Sequence, residues 1–414
     1  MTVEMKKYRL ADIAEIVISS VDKKTKPGEK IVRLCNFTDV YHNWAIKQSD
    51  YDSFMVASAS DNNINKLSLK KGFVAFTKDS ETRDDIGIST YIADDFDDVV
   101  LGYHCALAKP NENIVYGKYL NAFMSSDYIK KYFELNATGS GMRFTLAVST
   151  MEDMPIMLPS LNVQKKIGNM LSALDKRIEN LRAQNRVLEQ TAKIIYDYTF
   201  LQCAGHQTTY NKTLNRNIPA NWEVKNMSEL AEVINGATPS TAEEGNFDGD
   251  IVWITPKDLS DQKSKFVYFG ERTITQKGYD SCSTTLVPVN SILMSSRAPI
   301  GLVSIAKCEL CTNQGFKTFV PKSDDYTEYL YYYLLTNMKK IEQLGSGTTF
   351  KEVSRGSLTS FPVIVPDKKT LDAFNSSIKP LFEKQLVNTK QIETLTTQRN
   401  TLLPLLMTGQ VEVM

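Results

Sequence analysis

The chain repeats one arrangement of residues. Residues 155–159 read Pro-Ile-Met-Leu-Pro, and residues 362–366 read Pro-Val-Ile-Val-Pro. Each proline pair follows a Gly-Ser-Gly segment, at 139–141 and at 345–347, and each precedes a long charge-rich stretch. Two copies of one globular unit, each ending in a helix, predict a molecule with two similar sites and a spacer between them.

Length and composition are those of an ordinary globular protein. The chain has 414 residues, of which 42% are hydrophobic and 23% charged, so it has room for two or three domains. No apolar run approaches the roughly 20 residues that cross a bilayer. The start of the chain is polar and includes Lys6, Lys7 and Arg9, unlike a signal peptide. We therefore expect a cytoplasmic protein with no membrane partner.

Net charge limits the kinds of partner. It is zero for the whole chain. A protein that binds nucleic acid unaided is usually basic, so this value argues mildly against DNA binding by the chain alone. The argument is weaker for a chain that assembles with basic partner subunits.

The cysteines and histidines give little support for a metal centre. Only three histidines occur, which argues against a histidine-based metal site or catalytic triad. Cys308 and Cys311 form a lone Cys-x-x-Cys, without the second pair of a zinc ribbon. They lie in an alternating, strand-like stretch, so we expect a structural role, with redox or metal chemistry as the alternative.

Both copies contain short apolar segments bounded by Gly, Asn and Asp, which predict strands of an irregular, mostly β domain. These segments are 31–34, 72–76 and 99–101 in the first copy, and 251–254, 291–294 and 316–320 in the second. A short helical pattern precedes them, at 13–16 and at 230–233. An aromatic helix is predicted to follow them, beginning near Tyr119 and near Tyr329.

The clearest periodicity follows the double-proline segments. Mostly apolar residues spaced alternately by four and three form a heptad seam over about four repeats, and adding 207 to each position gives the same register in the second copy. The seam residues are Ile167, Leu171, Leu174, Ile178, Leu181, Asn185, Leu188 and Ile195 in the first copy, and Phe374, Ile378, Leu381, Ile392, Leu395 and Leu402 in the second.

Two such seams predict two helices that pair with each other. Asn185, Gln385 and Asn388 would then fix register and partner at some cost in stability. The alternative is that each helix packs only on its own domain. Off the seam, Ile194, Tyr198 and Phe200 could form a docking face for another protein or could pack on their own domain.

The motifs of several enzyme classes are missing from the sequence. We find no Pro-Pro-aromatic loop of an amino-methyltransferase, no Walker motif and no glycine-rich turn in a βαβ context. Pro366-Asp367 resembles the start of a nuclease signature, but no Glu-x-Lys follows it. We therefore expect a non-catalytic protein, with a methyltransferase or nuclease of unrecognised motifs as an alternative.

Polar loops remain as candidates for function. Short hydroxyl, amide and basic side chains are the groups that bond base edges and phosphates, although solvated loops have a similar composition. The candidates are Thr77, Lys78, Ser80, Arg83, Arg143 and Thr145 in the first copy, and Ser295, Ser296, Arg297, Thr348, Thr349 and Lys351 in the second. Asn313-Gln314-Gly315 is ambiguous, because its amides could read adenine while its glycine indicates a turn.

Taken together, these features resemble the specificity (S) subunits of Type I restriction–modification systems. The resemblance rests on two divergent β-rich units, each ending in a Pro-x-x-x-Pro strand and a heptad helix, and it covers essentially the whole chain. It is carried further by Ile-Pro-Ala-Asn-Trp at 218–222, Asn-Gln-Gly at 313–315, Gly-Ser-Gly-Thr at 345–348 and Leu-Leu-Met-Thr-Gly at 405–409. The first copy departs from the pattern, with Leu101-Gly102-Tyr103 where the second has Asn313-Gln314-Gly315.

The resemblance implies an α+β chain in which two β-rich target recognition domains each read one half of a split, double-stranded DNA site. The two helices would pair antiparallel as a coiled-coil spacer. The expected segments are a first recognition domain at 1–159, a first helix at 160–202, a linker at 203–221, a second recognition domain at 222–366, and a second helix with the C-terminal tail at 367–414.

The resemblance also implies partners. The spacer would dock two methyltransferase subunits, and the complete assembly would add restriction (motor-nuclease) subunits. S-adenosylmethionine, ATP and magnesium would belong to those subunits, with no cofactor in this chain. The alternative is an interaction scaffold that binds methyltransferase subunits without reading DNA.

Overall fold

The computed structural model describes residues 4–346 and 351–411. It divides into two compact units. The first comprises Met1–Arg182 with Lys390–Met414, and the second comprises Ala183–Thr389. The boundary between the units therefore falls inside both long helices.

The first unit contains one copy of the repeat. Its strands, in chain order, are β1 (Lys6–Arg9), β2 (Ala14–Ile18), β3 (Lys30–Cys35), β4 (Ala45–Ile46), β5 (Met55–Ala59), β6 (Val74–Thr77), β7 (Asp79–Ser80), β8 (Ser89–Ile92), β9 (Val99–Leu101), β10 (Cys105–Pro110), β11 (Thr138–Ser140), β12 (Arg143–Thr145) and β13 (Pro155–Leu158). Its helices are α1 (Leu10–Ile13), α2 (Phe37–His42), α3 (Asp61–Leu67), α4 (Gly117–Met124), α5 (Asp127–Asn136), α6 (Val148–Glu152) and the long α7 (Leu161–Tyr196), which continues into the second unit.

A five-stranded sheet forms the centre of this unit, in the order β2-β10-β6-β8-β4. Its pairs are antiparallel except for the edge strand β4, which runs parallel to β8. The fully buried rings of Tyr119 on α4 and Phe133 on α5 belong to the hydrophobic core that includes this sheet. Strands β5-β3-β9 and β11-β12-β7 form two smaller sheets.

The second unit contains the other copy. Its strands are β14 (Thr208–Asn211), β15 (Arg216–Pro219), β16 (Glu223–Asn226), β17 (Ala231–Asn235), β18 (Phe247–Ile254), β19 (Phe266–Val267), β20 (Arg272–Ile274), β21 (Ile292–Ser295), β22 (Val303–Ala306), β23 (Cys311–Thr312), β24 (Phe316–Pro321) and β25 (Pro362–Val365). Its helices are α8 (Pro256–Gln262), α9 (Gln276–Asp280), α10 (Thr327–Thr336), α11 (Met338–Gln343), α12 (Arg355–Thr359) and α13 (Lys368–Met407), which continues into the first unit.

The two copies share the topology of the five-stranded sheet. The second five-stranded sheet has the order β17-β24-β21-β22-β19, and its edge strand β19 again runs parallel to its neighbour. The Pro-x-x-x-Pro segments are β13 and β25, each paired antiparallel with a strand near the start of its copy, β1 or β16. Proline is tolerated there because each pair is an isolated two-stranded ribbon whose outer edges need no ladder hydrogen bonds.

The predicted helical pattern at 13–16 and 230–233 is wrong. Helix α1 ends at Ile13 and β2 begins at the next residue, while β17 begins at Ala231. Both segments form antiparallel ladders, with β10 and with β24. A pattern of four residues is too short to separate a helix from a strand, and the sheet pairing decided the outcome.

The long helices pair antiparallel within each unit. In the second unit the rings of Tyr196 and Phe374 lie 6.2 Å apart, and further along the helices Gln385 donates to the carbonyl of Asn185 at 3.1 Å. In the first unit Arg399 donates to Asp175 at 2.9 Å. Every seam residue named from the sequence is buried or partly buried. The predicted fold class is confirmed.

The helices also pack on the domains. Ile167 and Leu171 of α7 join the first unit's core together with Leu406 of α13. Phe374 and Ile378 of α13 belong to the second unit's core. The long helices therefore pair with each other and also pack on the domains.

Residues 203–221, the expected linker, contain the hairpin β14–β15.

Candidate nucleic-acid interface

In both units one group of candidate residues begins at the end of the middle strand of the five-stranded sheet. Strand β6 ends at Thr77 and β21 ends at Ser295. The turns before β10 and before β24 lie beside these strand ends, because β10 pairs antiparallel with β6 and β24 with β21. One end of each sheet thus gathers loops that are distant in sequence.

In the first unit a strand pairing completes the cluster. Strand β12 pairs with β7, placing Phe144 opposite Ser80 and Thr145 opposite Asp79. This brings the two groups of candidates, 77–83 and 143–145, to one place. The guanidinium of Arg83 lies over the ring of Phe144, 5.3 Å from its centroid.

Asp79 is the centre of this cluster, although the sequence did not single it out. Its Oδ2 accepts from Lys78 Nζ at 2.8 Å and contacts Nδ1 of His104 at 2.6 Å. Burial raises the pKa of Asp79, but hydrogen bonds from Lys78, Thr145 and His104 outweigh it and leave that pKa below its usual value. The carboxylate therefore stays ionised and orients the His104 ring.

His104 and Tyr103 form the exposed part of this cluster. The two rings meet edge to face at 4.2 Å, and Lys78 lies 5.5 Å from the centroid of Tyr103. Tyr103 is 43% exposed, whereas the side chain of Lys78 is only 13% exposed. Tyr103 and His104 offer an aromatic face and a ring nitrogen to a ligand, while Lys78 mainly supports them. In the sequence, this turn is indicated only by the correspondence between residues 101–103 of the first copy and Asn313-Gln314-Gly315 of the second.

The first Gly-Ser-Gly segment forms one arm and the turn of the hairpin β11–β12. A Cβ on Gly139 would lie 2.2 Å from the carbonyl oxygen of Arg143, and Gly141 has a φ of +70°. Both positions therefore need glycine. The turn presents Met142, which is 83% exposed, and beside it Arg143, which is also exposed.

In the second unit a glutamate binds the inner side of the Arg297 side chain. Arg297 Nε donates to Glu352 Oε2 at 2.9 Å, and Lys317 Nζ donates to Glu352 Oε1 at 2.9 Å. The Lys317 side chain is 7% exposed and that of Arg297 is 47% exposed. Burial raises the pKa of Glu352, but the two cations outweigh it and lower that pKa. The outer edge of the guanidinium is left for a ligand.

Three other candidates are internal. Thr77, Ser295 and Ser296 are fully buried. The Ser295 hydroxyl donates to the carbonyl of Pro299 at 2.6 Å, and the Ser296 hydroxyl donates to that of Gly315 at 3.2 Å. These hydroxyls shape the loops. Lys351 is exposed, and Thr348 and Thr349 lie outside the described residues.

The ambiguous segment 313–315 combines both predicted features. Asn313 Oδ1 accepts from the amide of Gly315 at 2.9 Å, which makes a turn. Gln314 is exposed, and its Oε1 accepts from the Thr238 hydroxyl. Gly236 lies beneath, where a Cβ would approach the carbonyl of Asn313 to 2.1 Å. The asparagine builds the loop and the glutamine faces outward.

Cys311 is buried in β23, and burial raises the pKa of its thiol to about 11. Cys308 donates to the carbonyl of Tyr268 at 3.4 Å. In the described part of the chain, no group of three or more His, Cys, Asp or Glu side chains could hold a metal ion. Over the same residues, no helix combines the length and apolar character of a membrane span.

Comparison with known proteins identifies the class of protein. A family model described as the Type I restriction modification DNA specificity domain matches twice, at residues 2–190 and 219–397. The chain belongs to this family. The prediction of a DNA-recognition subunit of a Type I restriction–modification system, without catalysis of its own, is confirmed by this match and by its relatives.

Individual relatives agree with the family. The MjaIX specificity subunit of Methanocaldococcus jannaschii is 40% identical over 162 residues, which cover 39% of this chain and 38% of that protein. The HindI specificity subunit of Haemophilus influenzae is 24% identical over 99% of this chain and 100% of its own length. The crystal structure of a Type I restriction–modification S subunit from M. genitalium matches with a TM-score of 0.62 over 100% of this chain and 97% of that one, at 14% identity, which shows a common fold.

Proposed function

We propose that each unit reads one half of a split DNA site through the loops gathered at one end of its five-stranded sheet. One observation carries the proposal. In both copies, the loop after the middle strand meets the turn before its neighbour, and exposed aromatic, amide or basic side chains project there. Loops held by a rigid sheet are the usual place for recognition residues.

The two clusters have different chemistry. The first presents Tyr103, His104 and Arg143, and the second presents Gln314 and Arg297. Arginine pairs with guanine O6 and N7, and glutamine pairs with adenine N6 and N7. The two halves of the site are therefore expected to differ in sequence.

The paired helices would dock methyltransferase subunits. In the second unit α7 exposes Val187 and Ile194, which are 61% and 67% accessible, and the helical turn that follows it exposes Tyr198, which is 60% accessible. Phe200, named beside them from the sequence, is 2% exposed and packs on Trp222 and Phe374 instead. Partner subunits would carry S-adenosylmethionine, ATP and magnesium, and restriction subunits would complete the assembly.

Sequencing the methylated sites in cells that carry this chain with its methyltransferase subunits tests the proposal. We expect two short sequences at a fixed separation. Methylation that ignores sequence would favour the scaffold that does not read DNA. Transfer of a labelled methyl group by the purified chain without partner subunits would instead favour the enzyme.

A further inference from the structure

The second unit buries a charged lysine where its sheet meets the long helices. Lys265 directly precedes the edge strand β19, and its side chain is 9% exposed. The ammonium forms an ion pair with Glu189 of α7 and donates to Gln385 Oε1 of α13 at 2.8 Å. It also lies 3.9 Å from the centroid of the Phe382 ring. One side chain thus ties the recognition sheet to both helices.

The groups around Lys265 are themselves bonded to one another. Glu189 accepts from the Tyr332 hydroxyl at 3.1 Å and from Gln385 Nε2 at 3.1 Å. The same Tyr332 hydroxyl accepts from Lys265 at 3.2 Å. The side chains of Lys265 before β19, Glu189 on α7, Tyr332 on α10 and Gln385 on α13 therefore form a closed network. Such a network permits one arrangement of its members, whereas an apolar contact permits several.

The first unit repeats this contact with different residues. Lys47 follows the edge strand β4 and forms an ion pair with Glu179 of α7. That pair is about one-third exposed, at 33% and 30% of the two side chains. The lysine follows the strand in one copy and precedes it in the other, within unlike sequences, Ala-Ile-Lys and Lys-Phe-Val. The shared feature is the joint between the edge strand and α7.

Burying an ion pair is a poor way to gain stability, since apolar residues of similar volume often stabilise as well or better. Its directional contacts serve orientation instead. We propose that Lys265 is a positioning residue, which fixes the second recognition sheet on the helix pair and thereby sets the spacing at which the second half-site is accepted. Lys47 has the same role in the first unit, with a more exposed and weaker contact. The proposal rests on the proposed function.

The test is the distribution of half-site spacings in the methylated DNA of cells that carry Lys265→Met with the methyltransferase subunits. Methionine keeps the apolar stem and removes the charged hydrogen bonds. Methylation should rise roughly tenfold at sites whose half-sites lie one base pair closer together or further apart than the wild type prefers. This factor corresponds to the loss of one hydrogen bond to a charged group. The bases of both half-sites should stay the same. Lys47→Met should broaden the spacing less.

Lys257→Met is the matched control. Lys257 pairs with Glu271 in the same unit, but the two side chains are 66% and 65% exposed, and neither residue belongs to α7 or α13. Its spacing distribution should equal that of the wild type. Broadening in this control to the same extent would overturn the proposal.

The other outcomes are distinct. Unchanged spacing with Lys265→Met, at normal or uniformly reduced methylation, would show that the lysine only stabilises the fold. If that variant gives no methylation, Lys265→Gln, which keeps amide donors for Gln385 and Tyr332, is judged by the same criterion. A wild-type chain that shows no pair of half-sites at a fixed spacing would refute the proposed function instead.

Discussion

Arg297 has one nitrogen bonded inside the protein and its outer edge in solvent, so its loss should affect DNA more than folding. Arg297→Ala removes either a bidentate guanine contact or a phosphate contact. Loss of the guanine contact costs about 1–3 kcal/mol and relaxes one base position. Binding to duplexes varied at each position of the second half-site, in the presence of the methyltransferase subunits, measures this effect.

Lys322→Ala is the control for Arg297. Lys322 is exposed at the far end of β24, the end away from the loop cluster. Removing its charge should leave every base preference unchanged. Unchanged affinity and unchanged preference in a folded Arg297→Ala protein would exclude Arg297 from the site.

Lys265 gives the second unit a pH-dependent stability. Burial lowers its pKa from 10.5 to about 8, although Glu189 raises it. The folded state therefore holds fewer protons than the unfolded state between these values, so stability rises as pH increases through that window. Relative to Lys265→Met, the wild type should gain about 2 kcal/mol between pH 7 and pH 9.5, from 1.36 kcal/mol per pKa unit. Urea unfolding of both proteins at pH 7 and at pH 9.5 tests this. If the free energy of unfolding of the wild type fell relative to that of Lys265→Met as the pH rose, the prediction would be contradicted.

Single residues were the hardest part to predict. The basic and hydroxyl candidates share only their residue types, and residue type does not distinguish the exposed Arg297 from the buried Ser295 two positions before it. The sequence does not indicate the role of Asp79, because its partner His104 lies 25 positions away. Tyr103 lay in a segment that the alignment of the copies had marked. Contacts across the sheet determine which of these side chains are buried, exposed or paired. The linear sequence pattern does not contain those contacts.

Elements were predicted better, because periodicity and turn chemistry are local. The apolar segments at 31–34, 99–101 and 316–320 lie in β3, β9 and β24. The heptad spacing predicted α7 and α13, and the polar seam residues Asn185 and Asn388 meet at 3.0 Å. The hairpin β14–β15 was missed, since its strands are short and mostly polar. Strand order was likewise not predictable, because pairs such as β2 with β10 join distant segments.

The helices should act as a ruler for the half-sites. The unit boundary lies between Arg182 and Ala183 in α7 and between Thr389 and Lys390 in α13. Inserting one heptad at both points keeps the seam and every contact described within a unit. It lengthens the pair by roughly 10 Å, at 1.5 Å per residue, which equals about three base pairs of B-DNA.

Three base pairs also turn the duplex by about 100°, since about 10 pairs complete one helical turn. The preferred spacing in the methylated DNA should therefore grow, or methylation should collapse because the second half-site faces away. A single insertion in α7 alone is the control, because it breaks the pairing and should abolish activity. Full methylation at the original spacing by the doubly lengthened chain would show that the helices do not set the distance.

At the scale of the whole chain, the duplication predicted two units, and the structure has two. Which segments of the chain make up each unit was harder to predict. The end of α13, with Leu406 and Met407, packs in the core of the first unit, although it follows the second copy in sequence. Antiparallel pairing of the helices produces this arrangement, and a heptad pattern alone does not specify which end meets which.

The two recognition units should be independently programmable. Each has its own hydrophobic core and its own loop cluster, so replacing the first domain with that of a relative should change one half of the methylated site only. The junctions belong before Lys6 and after Pro159, because β1 and β13 pair from Lys6–Leu158 to Arg9–Pro155 and must come from one donor. A second chimera that also carries the donor's residues at Leu406 and Met407 controls for packing against α13. Sequencing the methylated sites gives the answer, and a change in both halves together would mean that the domains do not read DNA separately.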